Sequence, residues 1–232
     1  MVLHKLFDHH QRQVNRKAFG DLRQFSAALK ATGQLKCVPQ VVSPRLQITE
    51  LCHRSLLGSG PALLFENPQG HDMPVLGNLF GTQKRVLAAL ELETREDLQE
   101  LGRDLTILKN PKLPDKLSSS MEAMVGFARL AHVPVVRKDA APWQNHVIEG
   151  PDVDLETLPV STCWPEDAGR LITWGLVVTR GPNKPRINLA IYRQQLIGRN
   201  QLIMRWLPHR GGAQDFREFQ QANPGRPFPL AV

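Results

Sequence analysis

Acid is what the centre of this sequence lacks. Between Asp167 and Asp215 there is no aspartate or glutamate, while Arg170, Arg180, Lys184, Arg186, Arg193, Arg199, Arg205 and Arg210 supply eight cations. The whole chain carries only +7, so its positive charge is gathered in one place. Tyrosine is reduced to Tyr192, which falls in the same stretch as Trp174 and Trp206. The three cysteines, Cys37, Cys52 and Cys163, are an odd number without CxxC spacing. That argues against a disulfide framework and a structural zinc site, and for a reducing cytoplasm. No apolar run approaches the roughly 20 residues needed to cross a bilayer. The opening MVLHKLFDHHQRQVNRK has neither the apolar core of a secretory signal nor the Arg and Ser of an organellar presequence. Internal repeats, heptads and low-complexity tracts are also lacking.

What is present reads first as alternating helices and strands. Phe19, Leu22, Phe25, Ala28 and Leu29 recur at helical spacing, with Gly33 placed as a C′ glycine. LKCVPQVV predicts a short strand interrupted by Pro39, and Ile48–Leu57 a helix closed by Gly58. Ala62–Glu66 and Met73–Leu79 predict strands on either side of the turn formers in NPQGHD. Thr82 caps a helix running to Leu92, with Arg85 outward and Val86, Leu87 and Leu90 inward. Thr94 and Asp97 form a capping box for a helix over Arg95–Leu108.

Residues 1–17 read as a disordered extension and 18–109 as an α/β layer domain. NPKLPDKLSSS opens a linker with a short helix over 110–139. Over 140–232, Pro and Gly punctuate short β-like runs: WQNHVIEG, LITWGLVVT, RINLAIYRQQLI and LIMRWLPH. These predict an antiparallel meander or barrel segment. AQDFREFQQAN predicts a helix, and RPFPLAV a last strand.

The turns RGPNKP and Gly198-Arg199-Asn200 divide the basic block into three antiparallel strands. Arg180, Lys184, Arg186 and Arg199 sit at their ends, where solvated charges protect edges. Arg193, Arg205 and Arg210 lie within or beside apolar runs, where an unpaired guanidinium is costly to bury. No acid lies inside the block to neutralise them, and a bound phosphate or carboxylate would do so through bidentate hydrogen bonds.

The segments TWGLVVTRGP, INLAIYRQQLIG and LIMRWLPHRGGA closely resemble the signature block of the UbiD family, the prenylated-FMN-dependent decarboxylases. FGDLRQFSAALKATGQLK, GPALLFENPQGHDMPVLGNLFGT and STCWPEDAG extend the likeness over nearly everything after Ala18. The match is best with the ubiquinone-pathway branch, whose substrate is 3-polyprenyl-4-hydroxybenzoate. The resemblance implies an N-terminal α/β domain followed by the first part of an antiparallel split β-barrel that binds the flavin. It implies that Ile191, Tyr192, Arg193, Arg205, Trp206, Leu207, Arg210 and Gly211 hold prenylated FMN, through backbone as well as side chains. Arg193 would also orient the substrate carboxylate as a catalytic residue. Asn188 would ligate a divalent metal, Mn²⁺ as a rule, with His209 as a second candidate.

Strict alternation puts Asn188, Ala190 and Tyr192 on one strand face and Leu189, Ile191 and Arg193 on the other. A bulge or strong twist near Tyr192 would bring both sets to one site.

Further implications are a polyprenylated aromatic acid as substrate, a flavin prenyltransferase as cofactor supplier and a homo-oligomeric assembly. The expected location is cytoplasmic, with peripheral attachment to the inner face of the membrane as an option. The family's chains are roughly twice this length, and its glutamate metal ligand and proton-donating acid fall beyond Val232. The 232-residue form is therefore expected to be an incomplete form that binds cofactor poorly and does not turn over alone. The competing reading is a non-catalytic flavin-binding module. Nucleic-acid binding is disfavoured, because no module signature is present and the aromatics sit inside apolar strands.

Overall fold

A computed structural model of the chain describes residues 19–109 and 142–232. In chain order the elements are α1 (Leu22–Ala31), β1 (Leu35–Val42), α2 (Gln47–Leu57), β2 (Ala62–Pro68), β3 (Val75–Gly77), α3 (Gln83–Ala89) and α4 (Arg95–Lys109). They continue with β4 (Leu171–Ile172), β5 (Leu176–Thr179), β6 (Asn188–Ile191), β7 (Gln194–Gly198), β8 (Gln201–Met204) and α5 (Gly211–Ala222). This is a mixed α/β fold with small sheets, and no barrel closes among the described residues. The described residues fall in two compact units, 19–35 with 80–109 and 142–147, and 36–79 with 148–232.

In the first unit, Asp21 caps α1 by accepting from the Gln24 amide at 2.8 Å. Gly33, at φ 68°, ends the helix with Gln34 N–H donating to the Leu29 carbonyl at 2.7 Å. Phe25 and Leu29 are buried, and the Phe25 ring meets Phe19 and Phe80 at centroid distances of 5.1 and 6.3 Å. The capping box of α4 forms in both directions: Asp97 N–H donates to Thr94 Oγ1 at 3.1 Å, and Thr94 N–H donates to Asp97 Oδ2 at 2.9 Å. Arg85 reverses its expectation, since it is wholly buried whereas Leu90 is 46% exposed. Helix α3 ends at Ala89, so Leu90 is its C-cap and lies outside the periodic face. A buried guanidinium needs a partner, and apolar periodicity cannot reveal one. Burial pulls the Arg85 pKa down.

In the second unit, β1, β2 and β3 form a sheet in that order, and α2 packs on it. Val42, Ile48, Leu63 and Phe65 make the core, with Val38, Cys52 and Val75 against it. Fully burying a side chain such as Phe65 contributes about 1.5–3 kcal/mol. Strand β1 is not interrupted at Pro39, because β1 is an edge strand where a missing N–H is tolerated. The Pro39 carbonyl instead accepts from Asn67 Nδ2 at 2.6 Å.

Residues 142–232 depart from expectation in three ways. WQNHVIEG is not a strand: a 3₁₀ turn over Pro142–Asn145 leads into irregular chain, and Val147 and Ile148, at 68% and 64% exposed, find no partner strand. Each long strand is also split between two sheets. β5 pairs antiparallel with β6, from Leu176↔Ile191 to Thr179↔Asn188, while β4, β7 and β8 form a separate antiparallel sheet. The chain therefore crosses between sheets twice, at residues 173–175 and again at Tyr192–Arg193. Finally, RPFPLAV is extended chain tied to β5 by one bridge, Val178↔Ala231, with hydrogen bonds of 2.8 and 3.1 Å. The expected linker and helix over 110–139 and the expected extension over 1–17 lie outside the described residues.

The two sequence segments of this unit also join directly. Leu46 N–H donates to the Thr162 carbonyl at 2.9 Å, His71 Nδ1 lies 3.1 Å from the Thr157 carbonyl, and the His53 ring meets Trp164 edge-on at 6.0 Å.

Candidate functional site

The second sheet crossing shapes a cleft. Because β6 leaves its sheet at Ile191 and β7 begins the next at Gln194, Tyr192 and Arg193 turn across the gap. An open cleft of about 620 Å³ forms there, lined by Leu171, Ile191, Tyr192, Arg193, Gln195, Ile203, Arg205, Leu207 and Arg210. Six of the expected cofactor residues thus meet on one wall: Ile191, Tyr192, Arg193, Arg205, Leu207 and Arg210.

The three arginines of this wall are exposed, not buried, because each falls on an outward position. The expectation that burial would force them to find an anion does not hold. What marks them is the lack of a carboxylate: among the described residues none of the three forms an ion pair. Four of the other five cations of the block are paired with acids from outside it, and Arg180 instead donates from Nε to the Lys184 carbonyl at 3.0 Å. Arg170 meets Glu156 at 2.8 Å, Arg199 meets Asp154 at 3.1 Å, and Lys184 and Arg186 meet Asp215 at 3.2 and 3.4 Å. Lys184 also reaches Glu218 at 2.5 Å, and these hydrogen bonds, Glu218's foremost, raise its pKa. Absence of acid along the sequence was thus a poor guide for four of these cations and a good one for the three in the cleft.

Trp206 and Gly211 take a different side. Trp206, between Arg205 and Leu207, turns its side chain away from the cleft and meets the rings of Tyr192, Phe216 and Phe228 at 5.8, 5.7 and 5.9 Å. Its indole N–H is buried without a partner, as are both ends of the Gln194 amide. Tyr192 joins the two sides: its ring lines the cleft, and its hydroxyl accepts from the Gly212 N–H at 2.9 Å. A Cβ at Gly212 would lie 3.0 Å from that hydroxyl oxygen.

Asn188 does not line the cleft; it sits behind the first turn of α5. A side chain at Gly211 would collide with Asn188 Oδ1, so the glycine is what leaves room for the amide. Asn188 Nδ2 donates to Thr179 Oγ1 at 3.0 Å. His209 is exposed, and its carbonyl accepts from Gln214 Nε2 at 3.2 Å.

A phosphate-bearing planar cofactor fits the cleft, since three unpaired guanidiniums stand beside an apolar and aromatic wall. A divalent cation is served less fully. Asn188 Oδ1 is a hard oxygen donor suited to such an ion, but among the described residues no three His, Cys, Asp or Glu side chains gather to hold one.

Two family profiles match the chain. The 3-octaprenyl-4-hydroxybenzoate carboxy-lyase N-terminal domain matches residues 26–105, and the 3-octaprenyl-4-hydroxybenzoate carboxy-lyase Rift-related domain, UbiD, matches residues 134–232. Among solved structures, the chain is similar to the UbiD-class enzyme HmfF from Pelotomaculum thermopropionicum in complex with FMN, at 28% identity and a TM-score of 0.69 over 90% of this chain and 41% of that one. An evolved dimeric form of the same enzyme with prFMN matches at 28% identity and TM-score 0.71, over 91% of this chain and 43% of that one. Vanillic acid decarboxylase from Sedimentibacter hydroxybenzoicus, in open form, matches at 27% identity and TM-score 0.69, covering 92% and 42%. The chain thus spans less than half the length of each of these structures.

Proposed function

The chain belongs to the UbiD family, and from that premise we propose that its arginine-lined cleft is the phosphate and ring seat of prenylated FMN in a non-oxidative aromatic-acid decarboxylase. The observation that carries this reading is the set Arg193, Arg205 and Arg210, free of carboxylate partners and facing one cleft with Ile191, Tyr192 and Leu207. Arginines left unpaired on one wall are suited to a phosphate or carboxylate, which they bind bidentately. The relatives solved with FMN and prFMN support the same cofactor class.

When bound, prenylated FMN supplies the electron sink for the carbon that loses CO₂. The chain's own residues position and neutralise. Arg205 and Arg210 hold the phosphate, and Arg193 orients the carboxylate of the substrate. Leu171, Ile203 and Leu207 give an apolar surface to the ring system. Trp206 and Gly211 contribute from behind, Trp206 by packing its tilted ring against Tyr192 and Gly211 by admitting the main chain and the Asn188 amide. Asn188 serves as an oxygen ligand of Mn²⁺ or another divalent cation, and the imidazole of His209 is the second candidate ligand.

Within this reading the substrate is a 3-polyprenyl-4-hydroxybenzoate of ubiquinone biosynthesis. The two profile descriptions support that choice, whereas the vanillic acid decarboxylase neighbour shows that the fold also serves another aromatic acid. The same reading takes a flavin prenyltransferase as cofactor supplier, a homo-oligomeric assembly and peripheral contact with the membrane that holds the polyprenyl substrate. No described helix is long and apolar enough to cross a membrane. We also keep 18–109 and 140–232 as the two sequence domains, supported by the matched ranges 26–105 and 134–232.

Titration with FMN, followed by flavin fluorescence, tests the seat. Each of Arg193→Ala, Arg205→Ala and Arg210→Ala should weaken binding about tenfold or more, since hydrogen bonds to charged groups are worth about 1.5–3 kcal/mol. Unchanged FMN affinity in the triple variant would remove the cleft from the reading.

A further inference from the structure

Behind the cleft lies a chain of hydrogen bonds whose polarity runs in one direction only. Asp215, in the second turn of α5, is wholly buried. Its Oδ1 receives Lys184 Nζ at 3.2 Å and Arg186 Nη2 at 3.4 Å. Its Oδ2 receives the Thr179 hydroxyl at 2.9 Å. Thr179, at 1% exposure, in turn accepts from Asn188 Nδ2 at 3.0 Å.

Two cations face Asp215 Oδ1, and a carboxylate only accepts. The single hydroxyl proton of Thr179 is therefore committed to Asp215. Only lone pairs remain on Oγ1, so the group facing them must be a donor. An asparagine amide has one donor end and one acceptor end, and the donor end is drawn inward to Thr179. The oxygen is left on the other side, against Gly211, where it fills the place that a side chain there would take.

We propose that Asp215 and Thr179 are positioning residues that fix the Asn188 amide with its NH₂ on Thr179 and its oxygen toward Gly211, so that the end left for a ligand is an acceptor, suited to a hard divalent cation. The cation rests on the reading of Asn188 in the preceding subsection; the orientation does not. A neutral residue at 215 would release the hydroxyl proton, and the amide could then present its NH₂ group, which repels a cation. The control therefore sits two side chains away from the ligand, on the helix whose N-cap is the cleft residue Arg210.

The test is NMR on the full chain, with the Asn188 side-chain amide assigned by its loss in Asn188→Ala. In the wild type its Nδ2 protons should show cross-relaxation to Thr179 in a single set of signals. Thr179→Ser should keep that pattern. Thr179→Val should lose it or split it into two sets, and Asp215→Asn, a second route if the valine variant does not fold, should do the same. Unaltered Asn188 amide signals in the folded valine and asparagine variants would overturn the proposal.

Dilute Mn²⁺ supplies the other arm, read as broadening of signals around residue 188. The Mn²⁺ concentration for half-broadening should rise at least tenfold in Thr179→Val. It should be insensitive to that change in an Asn188→Asp background, where both ends of the side chain are oxygen. An equal loss in both backgrounds would mean that Thr179 is merely structural and would also overturn the proposal. No broadening in the wild type, with the amide orientation confirmed, would instead strike out Asn188 as a cation ligand and leave the orientation device standing.

Discussion

At Gly211 the smallest change has a direct consequence, because an added methyl group would run into the Asn188 amide. Gly211→Ala should lower thermal stability by about 1–3 kcal/mol, the usual cost of overpacking, and should weaken FMN binding in the same titration. Cys52 gives a second check. Burial, with a smaller push from Cys163, raises its pKa from the ordinary 9.0 to about 11, so at pH 8 its thiolate fraction is far below that of an ordinary thiol. Alkylation followed by mass spectrometry should therefore modify Cys52 last of the three free cysteines. At this scale the sequence was legible where chemistry and position coincide. Arg193, Arg205 and Arg210 could be singled out as cations without acids nearby, and they do share a wall. Arg85 could not be read, because a charge on a helix looks solvated until its partner is known. Gln194 was also missed: its neighbour in the same dipeptide, Gln195, faces the cleft, and nothing in the order of residues tells the two apart.

Elements with local signals were legible almost to the residue. The Thr94 and Asp97 pair forms its reciprocal cap, and Thr94→Ala should cost about 0.5–2 kcal/mol in a thermal melt, the range for lost N-caps. The split of the long strands was not legible, for a physical reason. From Asn188 to Leu196 the inward positions Asn188, Ala190, Tyr192, Gln194 and Leu196 alternate without a fault, although the chain changes sheets at Tyr192–Arg193. Alternation reports which face is buried, and it is silent on which strand is the neighbour. The bulge expected near Tyr192 is instead a change of partner, and a register shift does occur, but later, between Leu196 and Gly198.

The unit containing the cleft draws on two separated stretches of the chain, Lys36–Leu79 and Ile148–Val232. Separate fragments 18–109 and 140–232 should therefore melt without cooperativity alone, and mixing them should restore a single transition by calorimetry. Two groups in this unit also give its stability an alkaline limit. The folded pKa of Cys52 lies above its unfolded value, so stability is intact below about pH 9 and is lost as pH rises toward about 11. The raised pKa of Lys184 acts with the same sign, its contribution being full below the unfolded lysine value of about 10.4 and lost above it. Melting from pH 8 to 11 should show a decline that Cys52→Ser makes smaller. The crossing at Tyr192–Arg193 carries one more consequence, for how this chain can change in length. An extra residue there would invert the inward and outward sets of β7, taking Gln195 out of the cleft and Leu196 out of the core together. The same insertion at Arg199–Asn200 would only lengthen a turn between β7 and β8. The spacing from Asn188 to Leu196 is thus a ruler that descendants of this sequence must keep, while the turn that follows is free to grow.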